Sequence, residues 1–374
     1  MIRALLVAGV LLGASSFSFA WATPVSAASI SVQGGYTVKP TQTYATVASV
    51  AAGLTGGAYS GVGSVFVTTA STATTGLGSL CTGALLSSNV VITAGHCLSN
   101  TNENGDYDPV TSVSFFLPSA GQATGANSFT VKSWQVSPTF TGDATQGGDF
   151  ALFTLSTNAS GHDTYGIYNG DPMSAFTRVG TGTIGGPAGT DTGGMTDDYM
   201  QRSGQNEYDY TGSLVTGWSG NILLSDFDDG TAEHDVFGRL LGPSGAQTGI
   251  AGESNSSPGD SGGPEFIDGK IVAVTSFGLT GDAFRFGGAC GLADSIDPYG
   301  DGGTTGSAAL DAGCTNSSVG ELSGDTWLLP YEDYIDAYVA SAAPEPASWG
   351  MMVGGFALAG ASLRRHRRRM AATA

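Results

Sequence analysis

Short apolar runs alternate with clusters of glycine, serine, threonine and asparagine along most of the chain, and no internal repeat is evident. Runs of this length bounded by turn residues predict strands over 80–86, 88–93, 111–117, 128–136, 149–155, 175–184, 212–216 and 220–225. Sustained alternation begins at Tyr59-Ser60-Gly61-Val62-Gly63-Ser64-Val65-Phe66-Val67, which marks the start of the folded part. Residues 265–274 read as a hairpin, because Asp268-Gly269 is a two-residue turn whose twist suits the flanking strands. The one convincing helix is 331–339, where aromatic residues form a packing stripe. The pattern is all-β.

The two ends depart from this pattern. Residues 1–27 read as a secretory signal: Arg3 supplies the positive start and Ala4 to Leu12 the apolar core. Small-residue cleavage sites follow at Ala20-Trp21-Ala22 and Val25-Ser26-Ala27. Residues 28–59 lack an apolar period and read as a linker or propeptide, and 60–342 as the folded domain. At the other end, Pro344-Glu345-Pro346 leads into an apolar, glycine-rich run from Gly350 to Leu363, closed by Arg364-Arg365-His366-Arg367-Arg368-Arg369. Such a helix is roughly 21 Å long, short of the ~30 Å hydrocarbon core, so it predicts a temporary anchor with a basic cytoplasmic stop.

Composition sharpens the class. Glycine is abundant (59) and charged residues are scarce (12%), which favours a turn-rich β protein. The net charge is −19. Without 1–27 and 343–374, basic residues fall from 13 to 7 and acids from 32 to 31, a net of −24. That field argues against nucleic acid and anionic membrane surfaces as partners of the exported part. Four cysteines in an exported chain read as two disulfides, with three pairings open.

The chemistry concentrates in three stretches. Glu253-Ser254-Asn255-Ser256-Ser257-Pro258-Gly259-Asp260-Ser261-Gly262-Gly263-Pro264 sets a serine in a glycine-flanked turn with bare backbone N–H groups, as acyl transfer requires. Val90-Val91-Ile92-Thr93-Ala94-Gly95-His96-Cys97 delivers a histidine from an apolar strand. Gly147-Gly148-Asp149-Phe150-Ala151-Leu152 sets an acid at the mouth of another.

In this order, the three stretches resemble the His, Asp and Ser motifs of the trypsin/chymotrypsin-like serine proteases. The resemblance covers about 60–342 and implies two six-stranded antiparallel barrels with the site in the cleft between them. It implies Ser261 as nucleophile, His96 as general base and then acid, and Asp149 as orienter of the imidazole. The N–H groups of Gly259 and Ser261 would form the oxyanion hole. It pairs Cys81 with Cys97, leaving Cys290 for Cys314. Ser276-Phe277-Gly278 matches the strand on which a substrate backbone lies, and Asn255 falls at the floor of the side-chain pocket. A neutral floor there suits small or apolar residues better than Lys or Arg.

Two departures stand out. Ser257 occupies a position where the family usually has a cysteine, and no basic cleavage site precedes an Ile-Val-Gly-Gly run. Asp260, whose family counterpart pairs with a newly cut N-terminus, must therefore find another partner if buried.

No cofactor is required for such chemistry. Asn100-Thr101-Asn102-Glu103-Asn104-Gly105-Asp106-Tyr107-Asp108 has the alternation of a calcium loop but carries Thr111 where the closing acid belongs. A solvated turn is the simpler reading. Asp226, Asp228, Asp229, Glu233 and Asp235 form a second acidic cluster that could take calcium. No zinc motif appears, and His162, His234 and His366 read as surface residues. The tail resembles the PEP-CTERM sorting signal of Gram-negative bacteria, which implies an exosortase-type processing partner. The rival to an endopeptidase is a catalytically idle surface or matrix protein on the same scaffold.

Overall fold

A computed structural model describes residues 59–342 except 73–77, 102–105, 118–126, 184, 187–188, 191–200, 243–244, 246–248, 251 and 281–316, together with Gly360 and Arg364. Six strands close the first barrel: β1 (Val62–Thr69), β2 (Ser79–Ser87), β3 (Val90–Thr93), β4 (Val110–Phe116), β5 (Ser128–Val136) and β6 (Ala151–Leu155). Their order around the barrel is β1-β2-β3-β6-β5-β4, every pair antiparallel. Inward positions alternate along each strand, so Val65, Leu85, Val91, Phe115 and Phe153 fill the interior. A short helix, α1 (Gly95–Leu98), follows β3.

The second half contains β7 (Ala175–Gly180), the small pair β8 (Gly185–Gly186) and β9 (Gly189–Thr190), β10 (Arg202–Glu207), β11 (Tyr210–Thr211) and β12 (Ile222–Phe227). Helix α2 (Val236–Leu241), β13 (Pro264–Ile267), β14 (Lys270–Thr280), β15 (Glu321–Trp327) and α3 (Glu332–Ala342) complete it. Here the expected second six-stranded barrel is a seven-stranded sheet, ordered β10-β7-β13-β14-β15-β12-β11. Its edge strands β10 and β11 are joined by Tyr208 and Asp209 alone, so the sheet curls until its edges meet without pairing.

Between the sheets lies a third apolar cluster. Val62, Ile92, Phe150 and Leu152 from the barrel meet Val179, Phe266, Val274, Leu328 and Ile335 from the second half. Each such side chain contributes about 1.5–3 kcal/mol when buried, so the cleft has rigid walls. Phe150 packs its ring on Tyr331 and Tyr334 at the start of α3, which fixes the residue immediately after Asp149.

Several sequence expectations change. Residues 212–214 form a 3₁₀ turn where a strand over 212–216 was expected, because Gly212 and Leu214 turn under β12. Strands β10 and β15 are not among the predicted strands, since RSGQNE and ELSGDTW lack apolar alternation. Helix α2 also went unforeseen; Asp235 caps it through Gly238 N–H. Asp268 and Gly269 both have positive φ, as the predicted hairpin turn requires. Among the described residues no helix is long and apolar enough to cross a membrane. The expected signal segment, the linker before Tyr59, and the tail's Gly350–Leu363 run, apart from Gly360, lie outside the described residues.

Candidate active site

Strand β3 is buried along its whole length and ends at the cleft, where α1 turns the chain and presents His96. A disulfide between Cys81 and Cys97 ties that turn back to β2, as the resemblance implied. Cys290 and Cys314 lie outside the described residues. Asp149 enters just before β6, after Gly147 and Gly148, both at positive φ. Ser261 lies on the loop that leads into β13.

These three distant side chains meet. His96 Nδ1 lies 2.8 Å from Asp149 Oδ2, and His96 Nε2 lies 2.8 Å from Ser261 Oγ. Asp149 is fully buried, and its Oδ1 also accepts the backbone N–H of His96 at 2.7 Å. Ser276 Oγ donates to Asp149 Oδ2 at 2.5 Å. A carboxylate without access to water thus has three donors, which is what keeps a buried charge tolerable. The imidazole itself keeps about a tenth of its surface open to solvent.

The nucleophile loop is held by its carbonyls. Thr82 Oγ1 donates to Gly259 O at 2.8 Å, Thr82 N–H donates to Ser261 O at 2.8 Å, and Thr183 N–H donates to Pro258 O at 2.9 Å. A trans peptide sets N–H opposite C=O, so the Gly259 N–H points away from Thr183. Gly259 has φ +99 and Gly262 φ +77, where a side chain is strained. At Gly262 a Cβ would also collide with Ala94 N and Thr93 Oγ1. That close approach seats Ser261 against the end of β3, within reach of His96.

Asp260 is completely buried, and two backbone amides are among its partners. Gly182 N–H donates to Oδ1 at 2.9 Å and Ser257 N–H to Oδ2 at 3.1 Å. Ser257, where the family usually has a cysteine, instead shares hydroxyl contacts with Thr183.

The other expected site residues fall on two sides of the cleft. Beyond Thr275, β14 is paired with β15 but no longer with β13, so Ser276, Phe277 and Gly278 have one unpaired edge among the described strands. The Phe277 ring is buried, packed edge-on against Trp218. Asn255 is buried with its Oδ1 accepting from Ser323 Oγ of β15.

Beneath β14 lies a network that sequence reading missed. Arg178, fully buried, reaches Glu265 through Nε at 3.1 Å and Asp325 through Nη2 at 2.7 Å. Tyr208 donates to Asp325 and Thr275 to Glu265. Burial pushes both carboxyls up, further than the single guanidinium can pull them down. Burial opposes the Arg178 charge too, but Asp325 and Glu265 outweigh it and raise that group. The available signal was three charged residues inside strands of a chain with few charges.

Several of the acidic positions suspected of binding calcium make local hydrogen bonds. Asp226 Oδ2 accepts Val236 N–H, Asp228 Oδ1 accepts Gly230 N–H, and Asp229 accepts from Thr231 and pairs with His234. Asp108 accepts from Ser71 and Thr69, while 102–105 lie outside the described residues. Among the described residues the one convergence of three metal-type ligand atoms is Cys81, His96 and Cys97, whose sulfurs form the disulfide. His162 Nδ1 lies 2.9 Å from Ser60 O, so it and His234 have partners that the sequence did not suggest. His366 is outside the described residues.

The geometry can be set beside known proteins. No curated protein matches the chain. Among solved structures, HL collagenase is similar with a TM-score of 0.42 and 17% identity, over 75% of this chain and 94% of that one. The Trypsin family model matches residues 55–289, a span that holds His96, Asp149 and Ser261, and the chain belongs to the trypsin family of serine proteases.

Proposed function

We propose that this protein is an exported serine endopeptidase that hydrolyses peptide bonds through an acyl-enzyme. The observation that carries the proposal is the continuous path from Asp149 through His96 to Ser261, each link 2.8 Å. Asp149 accepts only, so the imidazole proton belongs on Nδ1 and Nε2 is left to accept the Ser261 hydroxyl proton. Ser261 Oγ attacks the scissile carbonyl as its proton passes to Nε2. The oxygen takes up negative charge and is met by the N–H groups of Gly259 and Ser261. The C–N bond then breaks, and His96 returns the proton to the leaving amine. Water repeats the sequence to release the acid and restore Ser261. The substrate backbone lies along the unpaired edge of Ser276-Phe277-Gly278 as an added strand.

The mature protein acts at the cell surface or outside a Gram-negative cell, with residues 1–27 directing export. The 343–374 tail holds it briefly in the inner membrane until an exosortase-type enzyme processes it. Casein hydrolysis by the protein recovered from the medium tests the activity, and mass spectrometry of the same sample tests both termini. Casein left intact by folded protein would favour the idle surface protein. An intact tail on the recovered chain would remove the sorting proposal.

A further inference from the structure

The segment before Ser261 is unusually rich in buried hydroxyls, and their hydrogen bonds run one way. Ser323 Oγ donates to Asn255 Oδ1 at 2.5 Å, at the short limit of O–H···O and below the range of N–H···O. The distance therefore fixes the amide orientation, with oxygen toward Ser323. Ser323 has one hydroxyl proton, so in its 2.7 Å contact with Ser256 Oγ the donor is Ser256. The chain Ser256 to Ser323 to Asn255 ends on the amide oxygen. Among the described residues, Asn255 Nδ2, with two N–H groups, is buried and has no acceptor. Ser225 Oγ, on β12 directly opposite Ser323, is buried and likewise has no partner among the described residues.

Leaving such groups unpaired costs about 1–3 kcal/mol each, so a fold that keeps two together is poised for a ligand. Their place relative to the triad says which. Asn255 precedes Ser261 by six positions on the same loop. Ser323 pairs with Gly278, two residues beyond the Ser276 that holds Asp149. Asn255 Nδ2 thus lies on the nucleophile loop against β15, the neighbour of β14, with Ser225 one strand further on. In the endopeptidase reading the residue ahead of the scissile bond puts its side chain on this side of β14.

Each side-chain class can be weighed against that floor. An aliphatic group would leave both N–H groups unpaired. An ammonium or guanidinium would bring donors to donors. A carboxylate would meet the N–H groups but would be buried there without a cation to pair it. The buried Arg178 is already engaged by Glu265 and Asp325. A carboxamide is neutral. Its oxygen accepts from Asn255 Nδ2, and its NH₂ donates to a hydroxyl oxygen of Ser225 or Ser256. Resting on the endopeptidase reading, we propose that the enzyme cleaves after residues with a carboxamide side chain, glutamine or asparagine, selected by Asn255 Nδ2.

The test uses the whole secreted protein and peptide coumarin amides that differ only in the residue before the scissile bond: Gln, Asn, Glu, Ala, Leu and Lys. The better carboxamide should exceed Glu and Leu by roughly 10- to 100-fold in kcat/KM. Asn255→Asp replaces donors with an acceptor, so the carboxamide preference should vanish and Lys should gain. Fluorophosphonate labelling of Ser261, which needs no side chain in the pocket, is read in parallel. Protein that takes the label but cleaves after Ala, Leu, Glu or Lys best overturns the proposal and leaves the endopeptidase reading intact. Equal rates for all substrates also overturn it, assigning the donors to a fixed water. Folded wild type that takes no label overturns both.

Discussion

Arg178→Met isolates the energetics of the buried ion network. The guanidinium and both carboxylate partners have no exposed surface, and one cation serves two acids. Removing it leaves Glu265 with the Thr275 hydroxyl and Asp325 with the Tyr208 hydroxyl as their remaining donors. Breaking a buried ion pair by removing one partner costs about 3–5 kcal/mol. At roughly 2–4 °C per kcal/mol for a domain of this scale, the melting temperature should fall by about 10 °C. The loss should depend on pH. Burial already raises both carboxyls, and without Arg178 they rise further above their unfolded values near 4. A carboxyl raised in the folded state holds its proton there and releases it on unfolding, so stability declines as pH climbs above the unfolded value. The deficit of Arg178→Met should therefore be smaller at pH 5 than at pH 8. Thermal melts followed by circular dichroism at both values measure it. A deficit under about 1 kcal/mol, or one equal at the two pH values, would refute the reasoning.

Three further outcomes follow from the same geometry. Ser276→Ala removes one charge-assisted hydrogen bond from Asp149, about 1.5–3 kcal/mol, so the rate of Ser261 labelling should drop roughly 10- to 100-fold without loss of fold. Burial lifts Glu253 to about 7 and Asp209 to about 8, so native stability should decline as pH rises from 5 to 8. Glu253→Gln should flatten that decline, and a slope unchanged in melts of the variant would assign it elsewhere. Because Gly182 and Ser257 amides hold Asp260, protein that keeps residues before Tyr59 should label as fast as trimmed protein. Intact mass of the labelled species decides this, and label confined to chains newly cut near Tyr59 would contradict it.

The triad was legible because each member sits in a local pattern with its own physical demand. An apolar strand must end before His96, Asp149 opens another, and Ser261 needs glycines at positive φ around it. The first barrel was legible because its strands are short apolar runs bounded by turn residues. β10 and β15 were not, because polar residues such as Asn206 and Asp325 face inward toward partners far away in sequence. Asn206 Nδ2, for example, donates to the backbone of Asp226 and Ser254. No window of one strand shows that a buried Arg178 will balance acids 87 and 147 positions later. Likewise, Ser276 carried a substrate-strand assignment from its motif, while its bond to Asp149 depends on how the two sheets face each other.

The most direct test of the account is site-resolved fluorophosphonate labelling of wild type, Ser261→Ala and His96→Ala, each first shown to be folded. The account predicts one label per wild-type molecule, located on Ser261 by peptide mapping, and none on either variant. Folded wild type that stays unlabelled, or a Ser261→Ala protein that still takes the label, would contradict it.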